Sequence, residues 1–258
     1  MLEANDLAIG YSGRTIGARI DFAVASGETL CVLGPNGGGK TTLFRTLLGL
    51  LRPHGGTVCV NGRDITSISR REMARLVGYV PQVHAASFEF SVRDIVLMGR
   101  TAHLGALASP GDSDHRIAKR ALDEIGIAHL ADRNYTTISA GERQLALIAR
   151  ALAQEPKVLV MDEPTASLDF GNQLRVLDKL RTLAQRGIAI VFSSHDPDHA
   201  LAVADRALLI SGGRILAIGV TKDVVRADTL ETLYGIPVRI VLTQGGPALC
   251  QPVPAARG

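Results

Sequence analysis

The sequence predicts an α/β fold built around a parallel sheet, with a helical segment inserted near its middle. The first observation is a set of short, largely apolar runs without the polar alternation of half-exposed strands. These runs occupy residues 28–33, 76–80, 157–161 and 188–193. Continuous apolar runs of this length are typical of strands that are buried on both faces. The second observation is that apolar residues recur at helical spacing between the runs, which is the alternation expected of a parallel sheet covered by helices.

The first sixty residues predict several short strands and one helix. Strands are predicted over residues 7–10, 20–25 and 28–33. Leucine and phenylalanine side chains then recur at helical spacing over residues 41–51, so a helix is predicted there, ended by Pro53. A further strand over residues 57–60 is followed by the turn sequence Asn61-Gly62.

The sequence pattern changes between about residue 83 and residue 153, where helical patterns replace strand-like runs. Helices are predicted over 92–98, 117–125 and 142–153, and later over 174–185 and 197–204. Strands are predicted again near 206–210 and 214–217. We therefore expect a single domain over residues 1–243 with a helical insertion at about 83–153. Residues 244–258 contain three prolines and three glycines and are expected to form a loose, flexible tail.

The composition describes an ordinary globular chain and excludes several classes of protein. The net charge is only +3, and basic residues are spread along the chain, so nucleic acid is not an expected partner. The three cysteines lack metal-ligand spacing, which favours reduced thiols. The N-terminus lacks the apolar stretch of a secretory signal, and no apolar run approaches the roughly 20 residues that span a bilayer. A membrane is therefore expected to be reached only through a partner.

A glycine-rich loop lies between the third predicted strand and the helix that follows it. It consists of Gly34, Pro35, Asn36, Gly37, Gly38, Gly39, Lys40 and Thr41, and it fits the pattern G-x-x-x-x-G-K-[ST]. Glycines let backbone N–H groups curl around an anion, and the helix adds the positive end of its dipole. Lys40 is expected to reach the β- and γ-phosphates of ATP, and the Thr41 hydroxyl is expected to ligate Mg²⁺.

Two carboxylates, Asp162 and Glu163, follow the apolar run at residues 157–161. Next to a phosphate-binding loop, one carboxylate at a strand end can hold Mg²⁺ and a second can polarise the attacking water. Asp162 is the predicted metal-shell residue and Glu163 the predicted general base. Without the glycine loop, the same two residues would as readily form a solvated turn. The glycine loop and the two carboxylates together predict hydrolysis of ATP.

The ordered set of motifs resembles the ATPase subunit of ABC transporters over about residues 2–240. The resemblance implies a P-loop NTPase core with a parallel sheet, an N-terminal antiparallel β subdomain and an inserted α-helical subdomain. Tyr11 is similar to the aromatic residue that stacks on adenine, and residues 34–42, ending in Thr42, are similar to the Walker A loop. Gln82 is similar to the Q-loop glutamine, a ligand of Mg²⁺ that also serves in hydrolysis. His195 is similar to the switch histidine near the γ-phosphate.

Residues 138–144 resemble the signature loop, which in the family binds the γ-phosphate of ATP held by the opposite subunit. The family pattern is Leu-Ser-Gly-Gly-Gln, and this chain has Ile-Ser-Ala-Gly-Glu. Ser139 and Gly141, which touch phosphate in relatives, are kept. Ala140 is expected to be mildly strained if the position needs a positive φ, and Glu142 replaces a neutral amide. Asp169 is similar to the aspartate of the D-loop.

The chain has one glycine loop and one signature, so it cannot close a complete ATP site alone. Two copies arranged head to tail would make two sites, each using Lys40 of one chain and Ser139 of the other. A homodimer is therefore expected, with opening and closing driven by contacts to the γ-phosphate.

A finer likeness is to the ATPase subunits of metal-chelate importers, which take up iron–siderophore, haem, cobalamin or molybdate. It rests on residues 90–100, His103, a helix over 114–125 and residues 192–197. It implies permease subunits as partners, a substrate-binding protein as an indirect partner, and a place at the cytoplasmic face of the inner membrane. Residues 88–100 are the candidate docking surface. An exporter subunit and a non-transport ATPase of the family are the alternatives.

The docking assignment has its own alternative. In this alternative, four of the residues do not dock on a partner and instead form the apolar side of a helix packed inside the insertion. These residues are Phe90, Val92, Ile95 and Val96.

Overall fold

The structure is a computed structural model, and it describes residues 1–11, 13–82, 89–105, 108–243 and 246–253. Within these ranges the strands are β1 (Leu2–Tyr11), β2 (Arg14–Val24), β3 (Thr29–Leu33), β4 (Gly55–Val60), β5 (Arg63–Asp64), β6 (Val77–Val80), β7 (Val158–Met161), β8 (Ala189–Ser194), β9 (Arg206–Ser211), β10 (Arg214–Val220), β11 (Val238–Val241) and β12 (Leu249–Pro252). The α-helices are α1 (Lys40–Leu47), α2 (Arg70–Leu76), α3 (Val92–Leu97), α4 (Asp112–Ile125), α5 (Ala140–Leu152), α6 (Phe170–Gln185), α7 (Pro197–Val203), α8 (Thr221–Val224) and α9 (Ala227–Tyr234).

The central sheet contains the apolar strands that the sequence predicts. Its strand order is β10-β9-β3-β8-β7-β6, and every pairing is parallel except the one between β10 and β9. The α/β fold class with a parallel sheet is therefore confirmed. Strand β3 lies between β8 and β9, so the glycine loop that follows it leaves the sheet at a central position.

Each central strand divides its side chains between two cores. In β3, Leu30 and Val32 join a cluster that includes the residues of α1 and of the N-terminal strands. Cys31 and Leu33 join a second cluster on the opposite face, made largely by α4, α5 and α6. Burial on both faces explains why these strands lack polar alternation.

The N-terminal antiparallel subdomain is confirmed as a separate sheet with the order β2-β1-β4-β5. Strand β1 is longer than the predicted strand over residues 7–10, because its first half contains polar residues that break the apolar pattern. Asp6 has a positive φ of 44° and its N–H donates to Asp21 Oδ1 at 2.6 Å. Irregular register on both sides of this point marks a bulge that alternation alone does not reveal.

The helical insertion packs α3, α4 and α5 together, and Arg100 ties its parts to each other. The guanidinium is buried, with Nε 2.9 Å from Asp114 Oδ1 and Nη1 donating to the carbonyl of Ala153 at 2.8 Å. The hydrogen bond from Arg100 holds the pKa of Asp114 below its usual range. Helix α4 begins at Asp112, before both of the starts expected from the sequence, residues 117 and 114, because Asp114 accepts from the N–H of Gly111 and caps an extra turn.

The C-terminal segment, from α9 to β12, includes one strand, β12, within the loose tail that the sequence predicts over residues 244–258. Of that predicted tail, the structure describes residues 246–253. Within the described residues 246–253, strand β12 pairs antiparallel with β11. The N–H of Cys250 also donates to Asp198 Oδ1, in the first turn of α7, at 2.6 Å. These tertiary hydrogen bonds order a stretch whose proline content is typical of a loop.

Two further expectations concern the membrane and the cysteines. Among the described residues, no helix combines the length and the apolar character needed to cross a bilayer. Cys31, Cys59 and Cys250 are all free thiols. Burial raises the pKa of the Cys31 thiol well above its ordinary value, so this residue acts as a small apolar side chain of the core.

Candidate functional site

The residues predicted to bind phosphate or act in catalysis meet at the carboxyl edge of the central sheet. The glycine loop follows β3, Asp162 and Glu163 follow β7, and His195 follows β8. Because β3, β8 and β7 are adjacent and parallel, their carboxyl ends bring these three segments together.

The glycine loop has a backbone that larger residues would not allow. A Cβ on Gly34 would collide with the carbonyl oxygen of Ile210. Gly39, which precedes the first residue of α1, has φ 106°. The carbonyl of Gly38 accepts from the N–H of Gly213 at 3.0 Å, which fixes the loop against the β9–β10 turn. The result is a rigid concave loop that leads into the N-terminus of α1, the geometry that suits a phosphate.

Lys40 is the buried cation of this loop, with only 6% of its side chain exposed. Its Nζ donates to the carbonyl of Gly34 at 2.6 Å and to that of Pro35 at 3.1 Å. The same atom lies 3.3 Å from Glu163 Oε1. Lys40 thus joins the loop to the Glu163 carboxylate at the end of β7.

One hydroxyl that the sequence analysis did not assign contacts the Asp162 carboxylate and the backbone of Glu163. Ser193 Oγ donates to Asp162 Oδ1 at 2.8 Å and accepts from the N–H of Glu163 at 2.9 Å. Glu163 has a positive φ of 45°, an uncommon conformation for a residue with a side chain. A serine one strand away could be identified only once β7 and β8 were known to be neighbours.

His195 is beside the predicted base. Its Nδ1 lies 3.5 Å from Glu163 Oε2, and its side chain is 57% exposed. The Glu163 carboxylate therefore lies between a buried lysine on one side and a solvent-facing imidazole on the other.

These segments line a cleft of about 430 Å³. The lining residues are Ile16, Pro35, Asn36, Gly37, Gly38, Gly39, Lys40, Thr41, Thr42, Gln82, Asp162 and Glu163. Thr41, Gln82 and Asp162 offer a hydroxyl, an amide oxygen and a carboxylate, the hard oxygen donors that suit Mg²⁺. Ile16, which the sequence analysis missed, comes from β2 of the antiparallel sheet. The glycine loop, the Lys40 cation and the oxygen donors together fit a nucleoside triphosphate with its metal ion.

Tyr11 lies at the end of β1, beside the helix that follows the loop. Its hydroxyl accepts from Thr42 Oγ1 and from Arg45 Nη1, both at 3.4 Å, and its side chain is 40% exposed. It is not among the described residues that line the cleft. Stacking of Tyr11 on adenine stays a prediction.

The signature residues form the start of α5 and do not line the cleft of their own chain. Ser139 caps the helix by accepting from the N–H of Glu142, whose carboxylate in turn accepts from the N–H of Ser139 at 2.7 Å. These hydrogen bonds lower the pKa of Glu142. The acidic replacement therefore completes a capping box, an interaction that glutamine also makes.

Strain at Ala140 was expected only if the position needs a positive φ, and the structure does not meet that condition. Ala140 is the first residue of α5 and does not belong to the residues with a positive φ in the described part of the chain. Its methyl group therefore has the ordinary environment of a helix N-terminus. The departure from glycine at this position imposes no backbone cost.

Gly141 and Asp169 are linked through a side chain that the sequence analysis did not assign. A Cβ on Gly141 would overlap the side-chain amide of Asn172. Asn172 Nδ2 donates to Asp169 Oδ2 at 2.8 Å, and Asp169 also caps α6 through the N–H of Asn172. The signature segment and the D-loop segment are thus in contact within one chain, although Asp169 also lies outside the residues that line the cleft.

The candidate docking surface, residues 88–100, divides into buried and exposed side chains. Val92 and Val96 are fully buried in the core of the insertion. For these two residues the structure agrees with the alternative, in which they pack inside the insertion. Phe90 is 42% exposed. Phe88 lies outside the described residues. A docking role stays a prediction that concerns the exposed side chains of this range.

A phosphate cradle, a buried lysine and paired carboxylates at one edge of a parallel sheet define a nucleotide-hydrolysing domain of the P-loop class. The sequence matches the family described as ABC transporter over residues 18–166, more than half of its length. The chain belongs to this family, as an ATP-binding subunit that hydrolyses ATP.

Individual relatives are similar over most of their length. An uncharacterised ABC transporter ATP-binding protein of Haemophilus influenzae is 44% identical over 91% of this chain and 89% of its own. The hemin import ATP-binding protein HmuV of Gloeobacter violaceus is 39% identical over 93% of this chain and 90% of its own. A solved chain of a metal-chelate type ABC transporter in an inward-facing conformation superposes with a TM-score of 0.87 at 35% identity, covering 99% of this chain and 98% of that one.

Proposed function

We propose that this chain is the ATP-hydrolysing subunit of an ABC importer that takes up a metal chelate. Two similarities support the substrate class: one relative is named for hemin import, and a solved structure over nearly the full length is of a metal-chelate type transporter. The observation that carries the catalytic part of the proposal is the cleft in which Lys40 and Glu163 meet at 3.3 Å.

Glu163 is the general base of this proposal. In the present arrangement its carboxylate is paired with Lys40 and lies close to His195. The phosphates of ATP offer Lys40 a stronger partner than one carboxylate, so binding of ATP frees Glu163 to accept a proton from the attacking water. We assign His195, on the solvent-facing side of Glu163, to the γ-phosphate.

Mg²⁺ is the cofactor that the donor set of the cleft fits. Thr41, Gln82 and Asp162 would hold it, and the ion would neutralise charge on the phosphates when bound. Ser193 keeps the Asp162 carboxylate oriented toward the cleft by donating to Oδ1. Among the described residues, no group of three or more His, Cys, Asp or Glu side chains could hold a metal. The proposed site combines one carboxylate, Asp162, with the neutral oxygen donors of Thr41 and Gln82.

A head-to-tail homodimer completes the site. Ser139 and Gly141 do not line the cleft of their own chain, so their assignment to phosphate requires a second copy. The exposed side chains among residues 89–100 then dock on membrane permease subunits at the cytoplasmic face of the inner membrane. A substrate-binding protein delivers the chelate to those permeases.

The proposal is tested by ATP turnover in a reconstituted transporter. The chain is assembled with the permease encoded beside its gene, in nanodiscs for ATP turnover and in proteoliposomes for transport. Both are measured with and without the neighbouring binding protein loaded with hemin or another metal chelate. We expect a loaded binding protein to stimulate turnover several-fold and chelate to accumulate in proteoliposomes. Lys40→Ala should abolish both signals, whereas Lys222→Ala, which removes an exposed lysine of α8, should preserve them.

Two results would contradict different parts of the proposal. An ATP turnover rate that the binding protein does not change, together with outward movement of substrate, would favour an exporter subunit. A rate that the permease does not change either would favour an ATPase with no role in transport. Ordinary turnover of Lys40→Ala would instead contradict the assignment of the cleft.

A further inference from the structure

The C-terminal segment contacts the loop that carries His195. We define the switch loop as residues 194–198. Tyr234, the last residue of α9, donates its phenolic hydroxyl to the main-chain oxygen of His195 at 2.9 Å. A second contact from the same segment is the hydrogen bond from the N–H of Cys250 to Asp198 Oδ1. Two separate C-terminal elements, α9 and β12, therefore hold the two halves of the switch loop.

The rest of the switch loop is fixed by residues on either side of His195. The carbonyl of Ser194 accepts from the N–H of Gly34 at 3.4 Å, and the Ser194 hydroxyl accepts from the N–H of Asp196 at 2.9 Å. The imidazole of His195 is more than half exposed, and its contact with Glu163 is long, at 3.5 Å. The direction of this imidazole therefore depends strongly on the orientation of its own peptide group.

Tyr234 is well placed to act as a permanent donor. Its ring packs against the core cluster that includes α7 and the C-terminal strands. Burial raises its pKa above the ordinary value, and the nearby Cys31 and Asp196 raise it further. The phenol therefore keeps its proton throughout the neutral pH range. Gly235, in the left-handed conformation with φ 73°, ends α9 immediately after Tyr234 and so fixes the point at which the hydroxyl is presented.

We propose that Tyr234 is a positioning residue for ATP hydrolysis: its hydroxyl orients the His195 peptide so that the imidazole stays beside Glu163. The C-terminal segment thereby contributes to the catalytic site from outside the P-loop core. The proposal rests on the role of His195 at the γ-phosphate given above. It assigns no contact between Tyr234 and ATP.

The test compares Tyr234→Phe with Tyr135→Phe. Both variants remove one hydroxyl from a tyrosine with limited exposure, but Tyr135 belongs to the core cluster of the helical insertion. Tyr234→Phe should lower kcat about fivefold, the change that loss of one hydrogen bond produces, with KM for ATP within about twofold of the wild type. Tyr135→Phe should leave both constants unchanged. Melting temperatures of all variants identify any general loss of stability.

A double-mutant cycle separates positioning from a purely structural role. In a His195→Ala background, measured by single-turnover hydrolysis of labelled ATP, adding Tyr234→Phe should cause no further loss. A fivefold loss in both backgrounds, or no loss in the wild-type background, would overturn the proposal. If His195→Ala itself hydrolyses ATP at the normal rate, the assigned role of His195 fails first. That result is distinct from one in which His195→Ala is slow and Tyr234→Phe is normal.

Discussion

At the scale of single residues, His199 is a buried titratable group close to the catalytic loops. Its Nδ1 lies 3.2 Å from Thr165 Oγ1 and 3.0 Å from Ser194 Oγ, and its Nε2 lies 3.5 Å from Asp196 Oδ2. Burial lowers the pKa of His199 below its ordinary value of 6.5, while Asp196 acts in the opposite direction. The neutral imidazole thus joins the segment after Glu163 to the switch loop.

Stability should therefore fall with acidification through this histidine. As the pH drops below about 6.5, the unfolded chain binds a proton that the folded chain does not yet accept, so the free energy of unfolding decreases. In His199→Gln, which does not titrate, the decrease between about pH 7 and about pH 5 should be smaller, by up to roughly 1.4 kcal/mol for each pH unit. Urea unfolding at several pH values measures it. His115→Gln, at an exposed position of α4, is the control, and equal slopes for His199→Gln and the wild type would contradict the argument.

The structure predicts that Ala140→Gly, which restores the family pattern, lowers stability, whereas a strained alanine at this position would make the same change raise it. Because Ala140 already has helical geometry at the start of α5, Ala140→Gly adds backbone freedom to the unfolded chain and relieves no strain. We expect the free energy of unfolding to fall by up to about 1 kcal/mol and ATP turnover not to rise. Chemical denaturation and a steady-state ATPase assay measure the two effects. A faster enzyme would show that the methyl group hinders the site after all.

The residues of the site differ in how far the sequence could predict them. Lys40, Asp162 and Glu163 are set by local spacing, since each directly follows a loop or strand that its own neighbours specify. Ser193 and Tyr234 act through contacts with segments about 30 to 40 residues away. No local pattern marks a serine or a tyrosine for such a role, because the sheet order and the docking of α9 decide it.

At the scale of elements, the starts of α5 and α6 depend on one close contact. Gly141 lies against the amide of Asn172, which also bonds to the capping residue Asp169. The structural need for glycine at 141 is therefore packing between two helices. This contact links the segment that resembles the signature to the segment that resembles the D-loop.

Gly141→Ala should displace the Asn172 side chain. Alanine is the better helix former, but its Cβ overlaps the end of the Asn172 side chain, which must move and give up its hydrogen bond to Asp169, so we expect the free energy of unfolding to fall by about 1 kcal/mol. Asn172→Ala removes the obstructing amide, so Gly141→Ala should cost much less in that background. Thermal or urea unfolding of the wild type, the two single variants and the double variant completes the cycle. Simple additivity would contradict the close contact.

Elements with strong periodic patterns were predictable, and the C-terminal ones were not. The central strands and α1 carry continuous apolar runs or clear helical spacing. Strand β12 includes Pro252 and follows Pro247, a composition typical of loops. It becomes a strand because β11 supplies its hydrogen-bond partners, and this pairing depends on the tertiary position of α9.

At the scale of the whole molecule, the cleft of one chain lacks the signature residue that the proposed dimer would bring to it. Lys40, Thr41, Gln82 and the strand-end carboxylates line it, whereas Ser139 does not. A site completed by a second copy would exist only while ATP bridges the two chains. The oligomeric state should therefore depend on the nucleotide and on whether it can be hydrolysed.

Glu163→Gln tests this dependence directly. The amide keeps the shape of the carboxylate, and the backbone bond from residue 163 to Ser193 does not involve the side chain. ATP should still bind, while hydrolysis slows by about 100-fold or more because the proposed general base is gone. With ATP, the variant should accumulate as a dimer on size-exclusion chromatography with light scattering, and with ADP it should elute as a monomer. Combining Glu163→Gln with Lys40→Ala should abolish the dimer, because the phosphates then lose their cation. A monomer at saturating ATP, with binding confirmed by equilibrium dialysis, would show that the two halves of the site do not meet in a dimer of this chain.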